Sequence, residues 1–265
     1  RPCSFCAIPL MRGKHVSKSM EQLVNEAKAL VKDGIKEIML IAQDSTFYGI
    51  DLYGERKLAE LMDRLSDVEG LEWIRLHYAY PSKFPFDVLP IINSKPNICK
   101  YLDIPIQHIS DNVLKSMRRG ITKRRTEEVL DRIKSEVNNI ALRTTLLVGH
   151  PGEYGQDFEE LKDFVSRYQF NRLGVFTYSH EDGTHAGTLE DHVSEKVKSA
   201  RADEIMAIQH DISWAHNQKL IGTNQKVIID RIEGDSYIGR TQFDSPEVDN
   251  EVIISLNEGY LRVGD

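Results

Sequence analysis

The chain has 265 residues, 34 Lys plus Arg against 41 Asp plus Glu for a formal net charge of -7, with 40% hydrophobic and 28% charged residues. That is globular composition, enough for one large domain or a large and a small one and too apolar for a disordered chain; no run approaches the roughly 18 to 20 apolar residues that span a bilayer, and no signal segment opens it. A cytoplasmic protein with no membrane partner is expected, and the acidic balance argues against a mainly electrostatic nucleic-acid binder, which needs a Lys/Arg surplus.

The chain starts at Arg1 rather than Met, and two of its three cysteines, Cys3 and Cys6, stand at that edge, the pattern of a fragment cut inside or beside a motif. Three scattered cysteines do not make a disulfide framework. Downstream, Met20, Leu23, Ala27, Leu30 and Val31 recur at helical spacing behind Ser19, with Gln22 placed for a capping box and Gly34 as the stop. A strand over 35–42 follows and ends in the polar loop 43–46. The rhythm repeats: a helix on Leu58, Leu61, Met62 and Leu65, then a strand over 73–78; a helix over 86–92, then a strand over 101–106. Helices over 112–117 and 126–137 lead to a strand over 140–148. A helix carrying Phe158, Leu161, Phe164, Val165 and Tyr168 leads to a strand over 173–178.

Five strands separated by helices predict a parallel sheet, whose crossovers are long enough to hold a helix. The apolar runs Ile38-Met39-Leu40-Ile41 and Leu146-Leu147-Val148 predict burial on both faces. Functional groups gather at the C-terminal strand ends of such sheets. Polar residues recur there: Gln43 and Asp44, His77 with Tyr78 and Tyr80, Gln107 and His108, 149–153, and 178–180. A long helix over 194–220 follows, with Val197, Ile205, Ile208, Ile212 and Ala215 on one stripe. Short β-rich runs over 226–232, 236–241 and 251–255 then predict a small antiparallel domain. The expected division is 1–193, a linking helix 194–220, and 221–265. From Ala215 onward 5 basic residues face 9 acidic ones, a net of -4.

Cys3-Ser4-Phe5-Cys6 is a C-x-x-C pair with three chemical readings: half a zinc site, a redox dithiol, or two ligands of an iron-sulfur cluster. No second Cys or His pair at short spacing favours zinc, and Pro9 with Arg12-Gly13 does not fit a thioredoxin-like helix start. Iron-sulfur fits best and requires more thiolates than the visible pair.

Cys3-Ser4-Phe5-Cys6-Ala7-Ile8-Pro9 with Arg12-Gly13 resembles the last two cysteines of the C-x-x-x-C-x-x-C motif of radical S-adenosylmethionine methylthiotransferases. The first cysteine of that motif would lie two positions before Arg1. Further blocks carry the resemblance along the chain: Gln43-Asp44-Ser45-Thr46-Phe47-Tyr48-Gly49, Asp103-Ile104-Pro105-Ile106-Gln107-His108 with Met117-Arg118-Arg119-Gly120, Arg143-Thr144-Thr145, and Val148-Gly149-His150-Pro151-Gly152-Glu153 with Asp157-Phe158. Tyr154 stands where Thr is common in the family.

The resemblance implies an α/β fold, a partial (β/α)6 TIM-like radical SAM barrel followed by a small antiparallel, OB-like TRAM β-barrel that recognises substrate. It implies three thiolates, Cys3 and Cys6 among them, holding a [4Fe-4S] cluster whose open iron chelates S-adenosylmethionine. Phe5 would pack at the cluster loop, and Gln43, Gln107 and Arg143 would contact the cofactor's amino, ribose and carboxylate groups; an ion pair inside the barrel is the other role open to Arg143. For Asp44 and Glu153 loop or helix-cap bonding is expected, and no catalytic residue is named.

Residues 237–249 look most like the RimO-like subgroup, which adds a methylthio group to the β-carbon of an aspartate in small-subunit ribosomal protein S-twelve. The MiaB-like subgroup, which modifies tRNA, is the alternative; a non-catalytic ribosome- or RNA-binding module with a metal-stapled N-terminus is the alternative of another class. The acidity of the tail also favours a basic protein substrate over RNA. The resemblance further implies a second [4Fe-4S] cluster in an N-terminal domain, a low-potential electron donor such as flavodoxin or ferredoxin, and further tail strands beyond Asp265.

Overall fold

The structure is a computed structural model that describes residues 3–265. Five strands, β1 (Glu37–Leu40), β2 (Trp73–Leu76), β3 (Ile98–Asp103), β4 (Ala141–Val148) and β5 (Arg172–Thr177), form one sheet in chain order, and every neighbouring pair is parallel. Before and between them run α1 (Ile8–Arg12), α2 (Met20–Lys32), α3 (Ile50–Tyr53), α4 (Leu58–Ser66), α5 (Val88–Ser94), α6 (Asp111–Ser116), α7 (Lys123–Glu136) and α8 (Gly155–Tyr168). The long α9 (Glu195–Gln218) leads to an antiparallel meander of β6 (Val227–Glu233), β7 (Ser236–Thr241) and β8 (Val252–Ser255). This is the parallel architecture with a small antiparallel unit that the sequence predicts. No described helix is long and apolar enough to cross a membrane.

Local chemistry accounts for the main helices. At α2 the Ser19 hydroxyl accepts from the Gln22 amide at 3.2 Å while the Gln22 side chain accepts from the Ser19 amide at 3.0 Å, a reciprocal cap that satisfies two otherwise orphaned donors. In α4, Leu58, Leu61, Met62 and Leu65 are all buried, the stripe of one helix face. α1 and α3 went unpredicted because they are 5 and 4 residues long and bury nothing, so they carry no periodic signal. On α9 the expected stripe is only partly buried: Val197 is exposed, while Lys198, Ile205 and Gln209 are buried. Two polar groups enter because each is bonded, Lys198 to Asp191 and Glu195, and Gln209 to the Phe170 carbonyl.

β3 begins three residues before the expected 101–106 and ends at Asp103. Lys100 interrupts its apolar pattern, and Pro105, lacking an N–H, stops the ladder. The Asn97 amide anchors the strand's start on the Ser66 and Leu71 carbonyls.

Alternation along the strands gives the sheet two different faces. Ile38, Leu40, Ile74, Leu76, Ile98, Leu102, Leu142, Leu146 and Val148 pack with the helices in the main core. The opposite face carries Arg75, Tyr101, Asp103 and Arg143, and it is the tail that covers it. Ile228 joins Trp73, Cys99, Tyr101 and Ala141 in a second cluster, with Phe243 packed against it. Gly239 is required by the close approach of β6 and β7, since a Cβ there would lie 2.5 Å from the Ile228 carbonyl oxygen.

The polar part of this interface is dense. Arg75, fully buried, reaches Glu37 at 2.7 Å and the Gln242 carbonyl at 2.8 Å. Glu37 also pairs with Arg240. The Tyr101 hydroxyl donates to Asp249 at 2.7 Å, Arg143 bridges Asp103 at 3.1 Å and Asp249 at 3.5 Å, and Arg172 grips one oxygen of Asp244 through Nε at 2.8 Å and Nη2 at 2.5 Å. The His77 ring meets the Ser245 hydroxyl at 3.1 Å. Asp244 and Asp249 thus neutralise barrel arginines, and Asp230, Glu233, Glu251 and Asp265 are paired with arginines of the tail itself. Two tail acids are thus matched by barrel arginines and two tail cations, Lys226 and Arg240, by the barrel acids Glu72 and Glu37, so the pairing leaves the tail's net charge of -4 as the sequence has it.

Candidate cluster and cofactor site

The Cys-x-x-Cys loop sits at the C-terminal end of the parallel strands. The Cys6 amide donates to the Cys3 carbonyl at 3.2 Å, which closes the loop into a turn; both cysteines are half-buried. The loop is tied down at its centre. The Ser4 amide donates to the Met117 carbonyl at 2.9 Å, the Ala186 amide donates to the Ser4 carbonyl at 2.7 Å, and the Ser4 hydroxyl meets His150 Nε2 at 3.1 Å. Phe5 packs against the buried cluster of Val113, Met117 and Leu147 and meets the His150 ring edge-on.

His150 Nδ1 lies 2.8 Å from the Pro151 carbonyl, which can only accept, so Nδ1 carries the proton and Nε2 accepts from Ser4. Burial holds this imidazole neutral, with its pKa pushed down to about 4. The loop beneath it is built on Gly149 at φ 76°, where a Cβ would lie 2.3 Å from Lys198 Cγ. Glu153 caps that loop by accepting the Gly149 amide at 2.6 Å and pairs with Arg201 at 2.7 Å, while burial raises its pKa. Asp44 accepts from the Thr46 amide and hydroxyl at 3.1 and 2.6 Å. Both acids have the cap bonding that the sequence suggests.

Gln107 lies next to the loop. Its backbone bridges β4, donating to the Thr145 carbonyl at 2.9 Å and accepting from the Leu147 amide at 2.8 Å, in the left-handed region at φ 70°. Leu147 belongs to the cluster that Phe5 packs against, so Gln107 is bonded to the strand beside the thiol loop. Gln43 is exposed just past β1, at the far edge of the sheet. Arg143 stands in the first half of β4 and is engaged by Asp103 and the tail's Asp249, the ion-pair role left open for it.

Sequence reasoning gave no role to Arg119. This residue is buried, and its Nη1 lies 3.3 Å from Cys3 Sγ. Its guanidinium lies 4.1 Å over the Tyr80 ring, and the Tyr80 hydroxyl donates to the Arg119 carbonyl at 2.5 Å. The two thiols are soft donors suited to an iron-sulfur centre. Among the described residues, no group of three Cys, His, Asp or Glu side chains could hold a metal ion by itself.

Comparison with known proteins agrees with this geometry. The family model described as the Radical SAM superfamily matches residues 1–165, and that described as the TRAM domain matches 221–265. The chain is similar to the ribosomal protein uS12 methylthiotransferase RimO of Flavobacterium johnsoniae, at 57% identity over 265 residues covering 100% of this chain and 61% of that one. Against the protein of the same description from Phocaeicola vulgatus it is 53% identical over 266 residues, covering 100% and 62%. The chain therefore spans about three fifths of the length of the curated relatives it matches. Among solved structures, the coproporphyrinogen III oxidase HemN of Escherichia coli, a radical SAM enzyme, matches with a TM-score of 0.59 at 15% identity, over 91% of this chain and 64% of that one, a likeness of fold alone. With a matching family model over 1–165 and a thiol pair at the C-terminal mouth of a parallel sheet, the chain, similar along its whole length to proteins described as uS12 methylthiotransferase RimO, belongs to the radical SAM superfamily.

Proposed function

We propose that this chain is the radical SAM barrel and TRAM unit of a methylthiotransferase that modifies an aspartate of ribosomal protein uS12. The observation that carries the proposal is the Cys3/Cys6 turn at the sheet's C-terminal mouth in a chain 57% identical throughout to a uS12 methylthiotransferase. Superfamily membership brings with it a [4Fe-4S] cluster and S-adenosylmethionine; Cys3 and Cys6 would supply two of three thiolate ligands. When bound, the cluster supplies a low-potential electron and an open iron for the cofactor's amino and carboxylate groups.

The residues of this chain do the rest. Ser4 fixes the turn through its amide, carbonyl and hydroxyl, Phe5 shields one side of it from water, and neutral His150 holds Ser4 in place. Gln107 is the proposed contact to the cofactor, being bonded to the strand beside the thiol loop; Gln43 would serve the far side of the mouth. Arg143 is assigned to the bridge with Asp103 and Asp249. The second cluster, and an electron donor such as flavodoxin or ferredoxin, belong to the proposal for the whole protein.

The test offers uS12 in small ribosomal subunits, and separately tRNA, to the anaerobically reconstituted full-length protein. The expected result is 5'-deoxyadenosine on reduction and a methylthio mass gain on one uS12 aspartate, both lost in Cys3→Ser and Cys6→Ser. Mass gain on tRNA instead, or full product from either serine variant, overturns it.

A further inference from the structure

Arg119 is a buried cation with no carboxylate within ion-pairing distance among the described residues. Among the described residues its one side-chain hydrogen-bond acceptor is Cys3: Nη1 lies 3.3 Å from Sγ, Nη2 donates to the Pro105 carbonyl, and Nε has no partner. The other buried arginines, Arg75, Arg172 and Arg240, and the half-buried Arg143 and Arg201 each face at least one Asp or Glu. An uncompensated buried guanidinium is costly, because desolvation is repaid only by a close opposite charge. Neutral thiols do not repay it; an iron-sulfur centre bound by thiolates is net negative and does.

The backbone presents the group deliberately. Arg118 at φ 56° and Gly120 at φ 64° flank Arg119 in left-handed conformations, turning the chain sharply as it leaves α6. The same turn accepts the Ser4 amide at the Met117 carbonyl, so one segment fixes the thiol loop and aims a positive charge at it. The aromatic face of Tyr80, with its hydroxyl 3.9 Å from Cys3 Sγ, backs the guanidinium.

We infer that Arg119 is the counter-charge of the iron-sulfur centre, a positioning residue that donates to the Cys3 sulfur and raises the reduction potential of the bound cluster. This rests on the proposal above that Cys3 and Cys6 are cluster ligands. A hydrogen-bond donor and positive charge at a ligand sulfur favour the more negative, reduced state of the centre. Removing them makes the cluster harder to reduce, and leaves the metal-free protein free of a buried charge it has no use for.

The experiment compares the full-length protein with Arg119→Met, Arg119→Lys and, as a control of equal charge on the exposed neighbour, Arg118→Met. In the loaded proteins the cluster's midpoint potential is followed by spectroelectrochemistry. Arg119→Met is expected to lower it by about 59 mV, a tenfold smaller reduced-to-oxidised ratio at a fixed reductant. Arg119→Lys recovers at least half of the shift and Arg118→Met leaves the potential unchanged. In the metal-free proteins Arg119→Met unfolds at the same or a higher denaturant concentration than the parent, where a merely structural arginine would be missed. Loss of cluster in Arg119→Met but not in Arg119→Lys also supports the assignment. A cluster of unchanged potential in Arg119→Met overturns it, as does failure of both variants to fold without metal. A parent protein that binds no cluster overturns the ligand assignment itself, a different result.

Discussion

Two regions of the parallel sheet are held by different means. On the face that the tail covers, tail and barrel are joined by buried ion pairs, Arg172 with Asp244, Arg143 with Asp103 and Asp249, and Glu37 with Arg75 and Arg240. At the C-terminal end the thiol loop is held by backbone hydrogen bonds and neutral groups, Ser4 on Met117 and Ala186, Ser4 on His150, Phe5 on the Val113, Met117 and Leu147 cluster, and the buried cation that touches the loop, Arg119, has no carboxylate partner among the described residues. In the first region every buried arginine faces a carboxylate, so its charges are matched. The second has unspent bonding capacity at the thiols and at Arg119, as a ligand site requires. Substitutions at the first should therefore cost stability and those at the second should cost mainly ligand binding.

The largest effect is expected from Arg172→Met. Both partners of the pair are buried, so removing the cation strands the Asp244 carboxylate on the Thr241 hydroxyl, which donates to it at 2.6 Å. Breaking such a pair costs about 3–5 kcal/mol, while replacing both members by apolar residues costs much less. Equilibrium denaturation should show this loss for Arg172→Met and recovery of most of it in Arg172→Met with Asp244→Leu. A single-variant loss below about 1 kcal/mol would mean that the tail is not locked by this pair.

The tail-covered face was hardly legible in the sequence. Arg143 and Asp249 are over a hundred positions apart, and nothing in local periodicity links a strand arginine to an acidic tail; Asp244 and Asp249, two of the tail's nine acids, are interior counter-charges. The elements themselves were legible where a period or a cap exists, as in α2 behind Ser19 and α4 with its four buried positions. They were not where an element is too short to bury a stripe, as in α1 and α3, or where a polar residue sits inside a strand, as Lys100 does in β3. At the site, Cys3 and Cys6 were visible as a motif and Phe5 with them, since the signal is contiguous. The Arg119 contact to Cys3 spans 116 positions and could be signalled only by the Arg118-Arg119-Gly120 turn.

Gly149→Ala sharpens the comparison by asking whether the C-terminal end has a rigid floor. The residue adopts φ 76°, and its new Cβ would meet Lys198 Cγ at 2.3 Å, in a side chain that is itself buried and held by Asp191 and Glu195. Left-handed strain and overpacking together should cost about 2–3 kcal/mol in denaturation experiments. A neutral outcome would show that Lys198 yields and the floor is soft.

Acid should weaken this end through His108, which is fully buried, accepts the Ser110 amide at Nδ1 and has its pKa pushed down to about 3 by burial. The unfolded chain, with an ordinary imidazole near 6.5, binds more protons below that pH, so the stabilising contribution is complete above about 6.5 and is lost progressively as pH falls toward 3. Between pH 7 and pH 5 the loss from this group is on the order of 2 kcal/mol. Asn at this position can accept the same amide without titrating, so His108→Asn should flatten that part of the stability-against-pH curve. Parallel curves for parent and variant would remove His108 from the account.

The smallest stability effect is expected at Ser4, and it separates the two regions most cleanly. Ser4→Ala keeps both backbone bonds of the thiol loop and removes only the hydroxyl that donates to His150 Nε2, leaving one buried acceptor unpaired. The cost should be about 1 kcal/mol in denaturation. Because that hydroxyl fixes the turn between Cys3 and Cys6, the same change should release iron to a chelator several-fold faster from the reconstituted full-length protein. A loss of 3 kcal/mol or more without faster iron release would make the C-terminal end a structural region like the other, and the division between them would fail; faster release with a small stability change is what a loop held for its ligand, rather than for the fold, must show.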